Sequence, residues 1–362
     1  MEKKLRVGVL GATGFVGQRL VTLLNEHPYF EVTVLAASPR SAGKVYEDLV
    51  GGGRWKLTTP MPEYVKNMVV RDLHNIDDIK KDVDFVFCAV NMDKEEIQKI
   101  EEAYAKAEVP VVSNNSAHRM TKDVPVIVPE INAAHLEVIE AQRKRLGTKR
   151  GFIATKPNCS IQSYVPPLTA LLEFKPTKVL VCTYQAISGA GKTFKDWPEM
   201  NDNVIPFIGG EETKSEVEPL KVWGHVEGDE IKFAEDITIT SQCIRVPVSD
   251  GHLAAVFVSF EEKPTKEQIL EKWANYKGTA QELELPLAPE QFVSYFEEDN
   301  RPQTKLDRDR EKGMGISVGR LREDTLFDYK FVGLSHNTLR GAAGGAVLMA
   351  ELLYKKGYLT EK

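Results

Sequence analysis

The stretch LRVGVLGATGFVGQRL, residues 5–20, joins a short apolar run to a glycine-rich turn and the start of an amphipathic run. Gly11, Gly14 and Gly17 form G-x-x-G-x-x-G, a spacing variant of the dinucleotide-binding fingerprint. Without side chains at these positions, backbone N–H groups and a helix N-terminus can meet a pyrophosphate. The stretch therefore predicts a strand, a phosphate-binding turn and a helix. The residues expected to contact the dinucleotide here are Gly11, Thr13, Gly14, Phe15, Val16 and Gly17.

Short apolar runs continue to alternate with amphipathic stretches up to about residue 150. The runs EVTVLAAS, VDFVFCAV and VPVVSN are of strand type, whereas KEEIQKIEEAYAK has the composition of an exposed helix. This alternation is typical of βαβ units, so it predicts a Rossmann-type, doubly wound parallel sheet.

The pattern changes after about residue 151. Longer alternating runs, TKVLVCTYQAIS, DITITSQCIRVPV and HLAAVFVSFEE, predict antiparallel strands with one buried face. Residues 197–219 and 296–313 are rich in turn formers or charges and predict irregular surface segments. The final run, GAAGGAVLMAELLYKKG, predicts a helix that packs back on the first domain. We therefore predict an α/β protein with a nucleotide-binding domain of residues 1–155 plus 340–362 and an α+β domain of residues 156–339 with a largely antiparallel sheet.

Composition excludes several classes of function. The chain has 362 residues, and its 47 basic and 53 acidic residues give a net charge of −6 without a basic block, so nucleic acid is not an expected partner. No stretch approaches the roughly 20 apolar residues that span a bilayer, and the N-terminus lacks the pattern of a secretion signal. The four cysteines are not at metal-ligand spacing. We expect a cytoplasmic protein without a metal or a membrane contact.

The end of the second predicted strand distinguishes between nicotinamide cofactors. An NAD enzyme places an acidic residue there to accept a hydrogen bond from the ribose 2′-hydroxyl. This chain instead has SPRSAGK, in which Ser38, Arg40 and Ser41 supply donors and positive charge, and the next acidic residue is Glu47. These donors suit a 2′-phosphate, so the sequence favours NADP. A merely basic surface loop is the alternative.

Cys159 lies in KPNCSIQS, residues 156–163, between the strand-like GFIAT and the helical-looking YVPPLTALLE. The first N–H groups of a helix favour a thiolate, so this position suits a nucleophile, although a small buried thiol is the alternative. Cys88 and Cys182 lie within apolar strand-like runs and are interpreted as structural, and Cys243 has no catalytic context of its own. With a nicotinamide cofactor, a cysteine nucleophile indicates aldehyde or acyl redox chemistry.

The motifs GATGFVGQRL, SPRSAGK, KPNCS, TYQAISGAGK, IRVPVSDGH and LSHNTLRGAAGGAV follow one another along essentially the whole chain. Their order resembles that of the aspartate-β-semialdehyde dehydrogenases, especially the archaeal and fungal branch. The resemblance implies NADPH-dependent reductive dephosphorylation of L-aspartyl 4-phosphate to L-aspartate 4-semialdehyde through a cysteine thioester. It places the reaction in the biosynthesis of lysine, threonine, methionine and isoleucine.

The resemblance also implies a role for individual residues. Cys159 would be the nucleophile, His252 the acid/base, and Gln185 the group that orients the acyl carbon. Arg245, which lies among apolar neighbours and needs an anionic partner, would bind the substrate α-carboxylate. The expected substrate-binding residues are Arg245, Glu211 for the ammonium group, and Lys214, Arg119 and Asn158 for phosphate. Those expected to line the nicotinamide are Ser188, Gly189 and Asn337.

Other functions remain open at this stage. A malonyl- or succinyl-CoA reductase would use the same cysteine, hydride and fold, and N-acetylglutamyl phosphate reductase is a more distant relative. A sensor that binds NADP without chemistry would need neither a nucleophile nor an acid/base histidine. The antiparallel second domain suggests pairing across a two-fold axis, so we expect a homodimer or a homotetramer with a catalytic and dimerisation domain.

Overall fold

Two six-stranded β-sheets organise the chain in the computed structural model, which describes residues 3–362. The first sheet is parallel throughout and has the order β3-β2-β1-β4-β5-β6. Its strands are β1 (Leu5–Leu10), β2 (Phe30–Ala37), β3 (Arg71–Asp72), β4 (Phe85–Cys88), β5 (Val111–Ser113) and β6 (Ile153–Thr155). Helices α1 (Phe15–Leu23), α2 (Tyr46–Val50), α3 (Glu63–Lys66), α4 (Ile76–Ile79), α5 (Lys94–Lys106) and α6 (Ile139–Leu146) connect them. The predicted doubly wound parallel sheet is confirmed.

Strand β1 lies at the centre of this sheet and is buried on both faces. Val7, Val9 and Leu10 have no solvent exposure, because helices cover the sheet from both sides. Such strands consist of consecutive apolar residues rather than alternating ones. From β1 the strands are added first on one side of the sheet, as β2 and β3, and then on the other side, as β4, β5 and β6. The carboxyl ends of β1 and β4 therefore border a crevice. Ligands bind in this crevice in sheets of this type.

The second sheet has the order β10-β7-β11-β14-β13-β12. Its strands are β7 (Pro176–Gln185), β10 (Thr238–Arg245), β11 (His252–Phe260), β12 (Val293–Phe296), β13 (Ile316–Glu323) and β14 (Tyr329–Ser335), while β8 (His225–Glu227) and β9 (Glu230–Lys232) form a separate hairpin. The helices are α7 (Val165–Thr169), α8 (Glu211–Val222), α9 (Lys266–Asn275), α10 (Thr279–Glu282), α11 (Thr304–Asp307), α12 (Arg310–Gly313) and α13 (Gly344–Lys355). Short 3-10 turns span Ala133–Val138, Ser160–Ser163, Leu172–Phe174, Ile187–Ala190 and Pro198–Met200, and a π-helical turn spans Leu339–Ala343.

The second sheet is mixed. The prediction of a largely antiparallel sheet is confirmed, but not every neighbouring pair of strands is antiparallel. Strand β11 pairs antiparallel with β7 and β14, and β13 pairs antiparallel with β14. However, β10 runs parallel to β7, and β12 runs parallel to β13. The chain returns from β7 to β10 through α8, and a crossover of this kind brings the next strand back in the same direction.

The expectation that residues 197–219 are irregular is wrong for their second part, because helix α8 begins at Glu211. The face of α8 that packs on the protein carries polar residues, including Glu211, Ser215 and Glu218, and these are buried. Because most of the buried positions are polar, the helix lacks the hydrophobic periodicity by which sequence reasoning recognises helices. Residues 296–313 contain only the short helices α11 and α12 after the end of β12.

The last helix belongs to the core of the first sheet. Val347 and Leu348 of α13 lie in the same apolar cluster as Val7 and Val9 of β1, and α13 packs on α1. Glu351 and His27 form a buried hydrogen bond, with 2.9 Å between Oε1 and Nε2. Within residues 3–362, no helix has the length and apolar character needed to cross a membrane.

Candidate active site

Cys159 follows β6 and begins the short 3-10 turn Ser160–Ser163 rather than a regular α-helix. The side chain of Asn158 shapes this turn, because its Oδ1 accepts hydrogen bonds of 2.7 Å from both the backbone N and the Oγ of Ser160. The backbone N of Asn158 donates to Glu218 Oε2 over 2.5 Å. The loop that carries the sulfur is therefore held on both sides of the nucleophile.

The thiol of Cys159 has a raised pKa, which corrects the expectation that a helix start favours the thiolate. Burial is the largest cause, and the negative charge of Glu211 adds to it. Lys156, Arg119 and Arg245 act in the opposite direction, in that order of strength. A four-residue 3-10 turn provides little of the dipole that a longer helix would provide, so burial, and after it the neighbouring charges, determine how easily the thiol ionises.

His252 is the residue in contact with the nucleophile. It opens β11 and has no solvent exposure, and its Nε2 lies 3.4 Å from Cys159 Sγ. Burial, followed by the positive charge of Arg245, lowers the pKa of His252 to about 3, so the ring is neutral. Its Nδ1 accepts a hydrogen bond of 3.1 Å from the backbone N–H of Ala186. The single ring proton is therefore assigned to Nε2, where it points at the sulfur.

Gln185 and Arg245 lie side by side at the ends of two parallel strands. They are register partners in the pairing of β7 with β10, so both side chains leave the sheet at the same edge. Arg245 Nη1 donates to the carbonyl oxygen of Ala186 over 2.7 Å. Gly189 makes room for this arrangement, because a Cβ there would lie 2.9 Å from Arg245 Nη1 and 3.1 Å from His252 Nε2.

Helix α8 presents two carboxylates to the site. Glu211 Oε1 accepts from Asn158 Nδ2 over 2.9 Å, and its Oε2 lies 3.2 Å from Lys214 Nζ. Burial alone would raise the pKa of Glu211, but Lys214 and Asn158 together hold it below its ordinary value, so Glu211 is ionised. Two turns further on, Glu218 forms a buried ion pair of 3.0 Å with Arg119 Nη1.

These side chains border one cavity of about 380 Å³ between the two sheets. The predicted site residues that line it are Val16, Arg119, Asn158, Cys159, Gln185, Ser188, Gly189, Glu211, Lys214, Arg245 and Asn337. His252 does not line the cavity, and its Nε2 contacts the sulfur of Cys159, which does. Gly341, in the π-helical turn, also lines the cavity and packs closely on the nucleophile, since a Cβ at this position would lie 2.7 Å from Cys159 Cβ.

The glycine-rich turn has the shape that a dinucleotide requires. Gly11 has a φ of +83°, and a Cβ there would lie 2.4 Å from the carbonyl oxygen of Ala89, while a Cβ at Gly17 would lie 2.2 Å from Gly11 O. A Cβ at Gly14, which precedes the first residue of α1, would meet Gly11 O at 3.5 Å, an ordinary contact distance, so this position is less crowded than the other two. The tight turn and close packing demand the outer two glycines, and the less crowded middle one leaves room for phosphate over a helix N-terminus.

The other predicted cofactor residues lie apart from the cavity. Thr13 belongs to the turn, and Phe15, the first residue of α1, lines a neighbouring cavity of about 470 Å³. Ser188 lines both cavities. Ser38, Arg40 and Ser41 follow the end of β2, and Arg40 is exposed. Within residues 3–362, no hydrogen bond or ion pair engages the Arg40 guanidinium, so it is available to an anion.

Sequence reasoning missed Asn114 and Lys156, which line the cavity, and Glu218, which lies next to it and holds two of its groups. Among residues 3–362, the buried side-chain O and N atoms of Asn114 have no hydrogen-bond partner, as expected of an amide that awaits a ligand. Glu218 binds both Arg119 and the loop of Cys159. Its spacing of seven residues from Glu211 places both on one helix face, a signal that required recognition of α8.

The two halves of the chain match two models of one protein family. Residues 6–139 match the semialdehyde dehydrogenase NAD binding domain, and residues 166–340 match the semialdehyde dehydrogenase dimerisation domain. An aspartate-semialdehyde dehydrogenase of Aspergillus fumigatus is 44% identical, covering 98% of this chain and 99% of the relative, and that of Archaeoglobus fulgidus is 43% identical, covering 97% and 98%. The crystal structure of aspartate semialdehyde dehydrogenase with NADP from Candida albicans has a TM-score of 0.88 and 39% identity, covering 98% of this chain and all of that one.

Proposed function

Because this chain belongs to the semialdehyde dehydrogenase family, we propose that it is an NADP-dependent aspartate-semialdehyde dehydrogenase with Cys159 as its nucleophile. It catalyses the reversible reductive dephosphorylation of L-aspartyl 4-phosphate to L-aspartate 4-semialdehyde, a step of amino-acid biosynthesis. The observation that carries the proposed site is the 3.4 Å contact between Cys159 Sγ and His252 Nε2, at the edge of a cavity that also holds Arg119, Lys214 and Arg245.

The charges of the cavity suit the substrate. Arg245 has no carboxylate within ion-pair distance among residues 3–362 and binds the substrate α-carboxylate, while Glu211 faces the ammonium group. Asn158, Arg119 and Lys214 surround the phosphate, since cations and amide donors form strong charge-assisted hydrogen bonds with phosphate oxygens. Gln185 Nε2 orients the acyl oxygen from the end of β7.

The chemical steps use Cys159 and His252. The thiolate attacks the acyl carbon, a C–S bond forms, and the C–O bond to phosphate breaks, which leaves a thioester on Cys159 and releases phosphate that takes a proton from solvent. NADPH, when bound, supplies a hydride to this thioester. The tetrahedral oxyanion then re-forms a carbonyl as the C–S bond breaks, and the electron pair returns to Sγ. The Nε2–H of His252 stabilises that thiolate by donating a hydrogen bond to it.

The cofactor is held at both ends by groups of this chain. Backbone N–H groups of the turn at Gly14 meet the pyrophosphate, and Arg40, with Ser38 and Ser41, meets the 2′-phosphate. Ser188, Gly189 and Asn337 line the nicotinamide. Asn337 Nδ2 donates to Ser188 Oγ over 2.8 Å, so these two side chains are joined directly.

We further propose that the protein is a homo-oligomer that pairs through the outer face of the second sheet. That face carries partly exposed apolar and aromatic side chains that are cross-strand neighbours of β7 and β11. Leu253 lies opposite Tyr184, and Phe257 lies opposite Leu180. Tyr184 is 36% exposed, which is high for a tyrosine among apolar neighbours.

The four cysteines are free, in keeping with a reducing cytoplasm.

A coupled assay tests the function directly. Purified protein is given NADP, inorganic phosphate and L-aspartate semialdehyde, and the appearance of NADPH is followed. We expect turnover that depends on phosphate. A malonyl- or succinyl-CoA reductase has no departing phosphate and no ammonium group for Glu211, so oxidation that requires CoA and proceeds without phosphate would refute the proposed reaction.

A further inference from the structure

Glu218 is a buried carboxylate that the chemical steps above leave unused. It lies on α8 and is 2% exposed. Its two carboxylate oxygens accept hydrogen bonds from two different segments of the chain. Oε1 lies 3.0 Å from Arg119 Nη1, and Oε2 accepts from the backbone N of Asn158 over 2.5 Å. One side chain therefore joins the cation expected to bind phosphate to the residue that precedes the nucleophile.

The contacts of Arg119 leave a defined part of its guanidinium free. A guanidinium has five N–H groups. Nε donates to the carbonyl oxygen of Lys156 over 3.0 Å, Nη1 donates to Glu218, and Nη2 donates to the carbonyl oxygen of Asn114 over 3.1 Å. Among residues 3–362, one N–H on each terminal nitrogen has no acceptor, and the side chain lines the cavity. Two such donors on one planar group suit two oxygens of a phosphate.

Glu218 also balances the charge of Arg119 when no anion is bound. Arg119 is buried, and a buried guanidinium without a negative partner is costly. Within residues 3–362, no other carboxylate lies within ion-pair distance of this guanidinium. Glu211, the other carboxylate that α8 presents to the site, pairs with Lys214 instead. Glu218 therefore keeps the guanidinium in place between turnovers.

The helix that carries Glu218 is anchored next to the nucleophile. Pro219 has no N–H, so the carbonyl oxygen of Ser215 lacks its usual partner within α8. The buried hydroxyl of Tyr164 donates to this oxygen over 2.7 Å. Tyr164 directly follows the 3-10 turn that begins at Cys159. The position of Glu218 on α8 is thus tied to the segment of the nucleophile by a second, independent contact.

One turn beyond Glu218, Lys221 anchors the helix to the segment of Arg119. Lys221 is fully buried, and its Nζ donates to the carbonyl oxygens of Arg119, Thr121 and Val124 over 2.8, 2.7 and 2.9 Å. These bonds use all three ammonium hydrogens. Helix α8 therefore holds Arg119 by its backbone through Lys221 and by its guanidinium through Glu218.

We propose that Glu218 is a positioning residue that fixes the phosphate-binding guanidinium of Arg119 at a set place relative to Cys159. The inference rests on the proposed function, in which Arg119 binds the phosphate that leaves. Glu218 does not touch the substrate, and no bond to it forms or breaks. Because reacting groups must be held close to the geometry of attack, a shift of Arg119 would move the acyl phosphate away from the sulfur.

Steady-state kinetics of L-aspartate semialdehyde oxidation test this role. Glu218→Gln keeps the shape of the side chain but turns one acceptor into a donor, which then faces either Arg119 or the N–H of Asn158. Arg119→Gln removes the cation, and the double variant removes both charges. Glu216→Gln, on the same helix, is the matched control. Glu216 also accepts from a backbone N–H, that of Ser241 over 2.9 Å, and neither of these residues lines the cavity.

We expect Glu218→Gln to raise the KM for phosphate about ten- to a hundredfold and to leave the KM for NADP unchanged. In the Arg119→Gln background the same substitution should add little, because both residues act on phosphate through one guanidinium. The Glu216 control should behave as wild type. An unchanged KM for phosphate in the folded variant, equal increases for phosphate and NADP, or additive effects in the double variant would overturn the proposal.

Thermal unfolding establishes that each variant is folded. Glu218→Asp retains the charge but is one methylene group too short to reach both partners, so it should also raise the KM for phosphate. It decides the question if the Gln variant does not fold. If neither variant folds, Glu218 is a structural residue and the proposal is overturned.

Calorimetric titration with inorganic phosphate, in the absence of substrate and cofactor, separates this inference from the proposed function. Weaker phosphate binding by Glu218→Gln, in a protein that fails to oxidise L-aspartate semialdehyde, would support the role of Glu218 and refute the reaction. Equal phosphate binding by wild type and Glu218→Gln, in an active enzyme, would refute the role of Glu218 and leave the reaction standing.

Discussion

The Nε2 atom of His252 lies 3.4 Å from the Sγ of Cys159, although 93 positions separate the two residues in the chain. The other ring nitrogen accepts a hydrogen bond from the backbone of Ala186. The imidazole is therefore fixed between the end of β7 and the nucleophile, with its proton on the sulfur side. This geometry makes His252 a hydrogen-bond donor to the thiolate.

Replacing His252 with Gln should lower kcat by about two to four decades, because the thiolate and the oxyanion lose their nearest donor. NADP affinity should change little, since the glycine-rich turn lies on the other domain. Stopped-flow turnover and cofactor fluorescence check the two expectations. His74→Gln, at an exposed position, is the matched control, and equal kcat values for the two variants would contradict the role of His252.

Cys159→Ala should abolish turnover and leave NADP binding intact, because the sulfur takes part only in the chemical steps. The loss should exceed about three decades, as expected for a covalent nucleophile. Cys182→Ala, on the outer face of the second sheet, is the control. In wild type, brief exposure to the acyl donor without NADPH should add an acyl mass to the Cys159 peptide, and an adduct on another cysteine would show that the nucleophile lies elsewhere.

Arg40→Ala should weaken NADPH binding by about one to two decades and leave NADH use nearly unchanged. The physical reason is the loss of a charge-assisted contact worth about 1.5–3 kcal/mol with the 2′-phosphate. Titration of both cofactors by fluorescence measures the difference. Lys99→Ala, an exposed cation on α5, controls for general charge, and equal losses with both cofactors would argue against NADP as the preferred cofactor.

The stability of the protein should fall in acid partly through His252. Its pKa is lowered from 6.5 to about 3 in the folded protein, so between these values the unfolded chain binds a proton that the folded protein does not. The free energy of unfolding contributed by this residue is thus intact above pH 6.5 and declines as pH falls toward 3. Between pH 6.5 and 4.5 the decline is about 2–3 kcal/mol. Urea unfolding of wild type and His252→Gln at both pH values measures it, and identical pH dependence in both proteins would contradict it.

Phe257→Glu should convert the oligomer to a monomer. The substitution places a charge in the middle of the outer sheet face, where its cross-strand neighbour Lys330 can pair with it in the isolated chain. Light scattering after gel filtration gives the mass of each form. Lys266→Glu, on α9 outside this face, is the control, and a wild-type protein that already has the mass of one chain would refute the proposed interface.

The local sequence was sufficient for the parts of the fold that depend on neighbouring residues. The glycines at 11, 14 and 17 predicted a strand, a tight turn and a helix, and alternating apolar runs predicted two sheets. These features depend on backbone freedom and on the periodicity of side chains, which are properties of short segments. The order of motifs was sufficient for the family.

Only the tertiary structure decided the electrostatics of the site. Helix α8 escaped prediction because its buried face is polar, and with it Glu218 and its contacts to Arg119. The position of Cys159 predicted an easily ionised thiol, but burial raises its pKa, and Lys156 opposes that effect from within the same loop. Burial and distance act between segments far apart in the chain, as in the contact of His252 with Cys159. The sequence by itself determined which groups are present, whereas the packing of two sheets determined which of them are charged and which atoms meet.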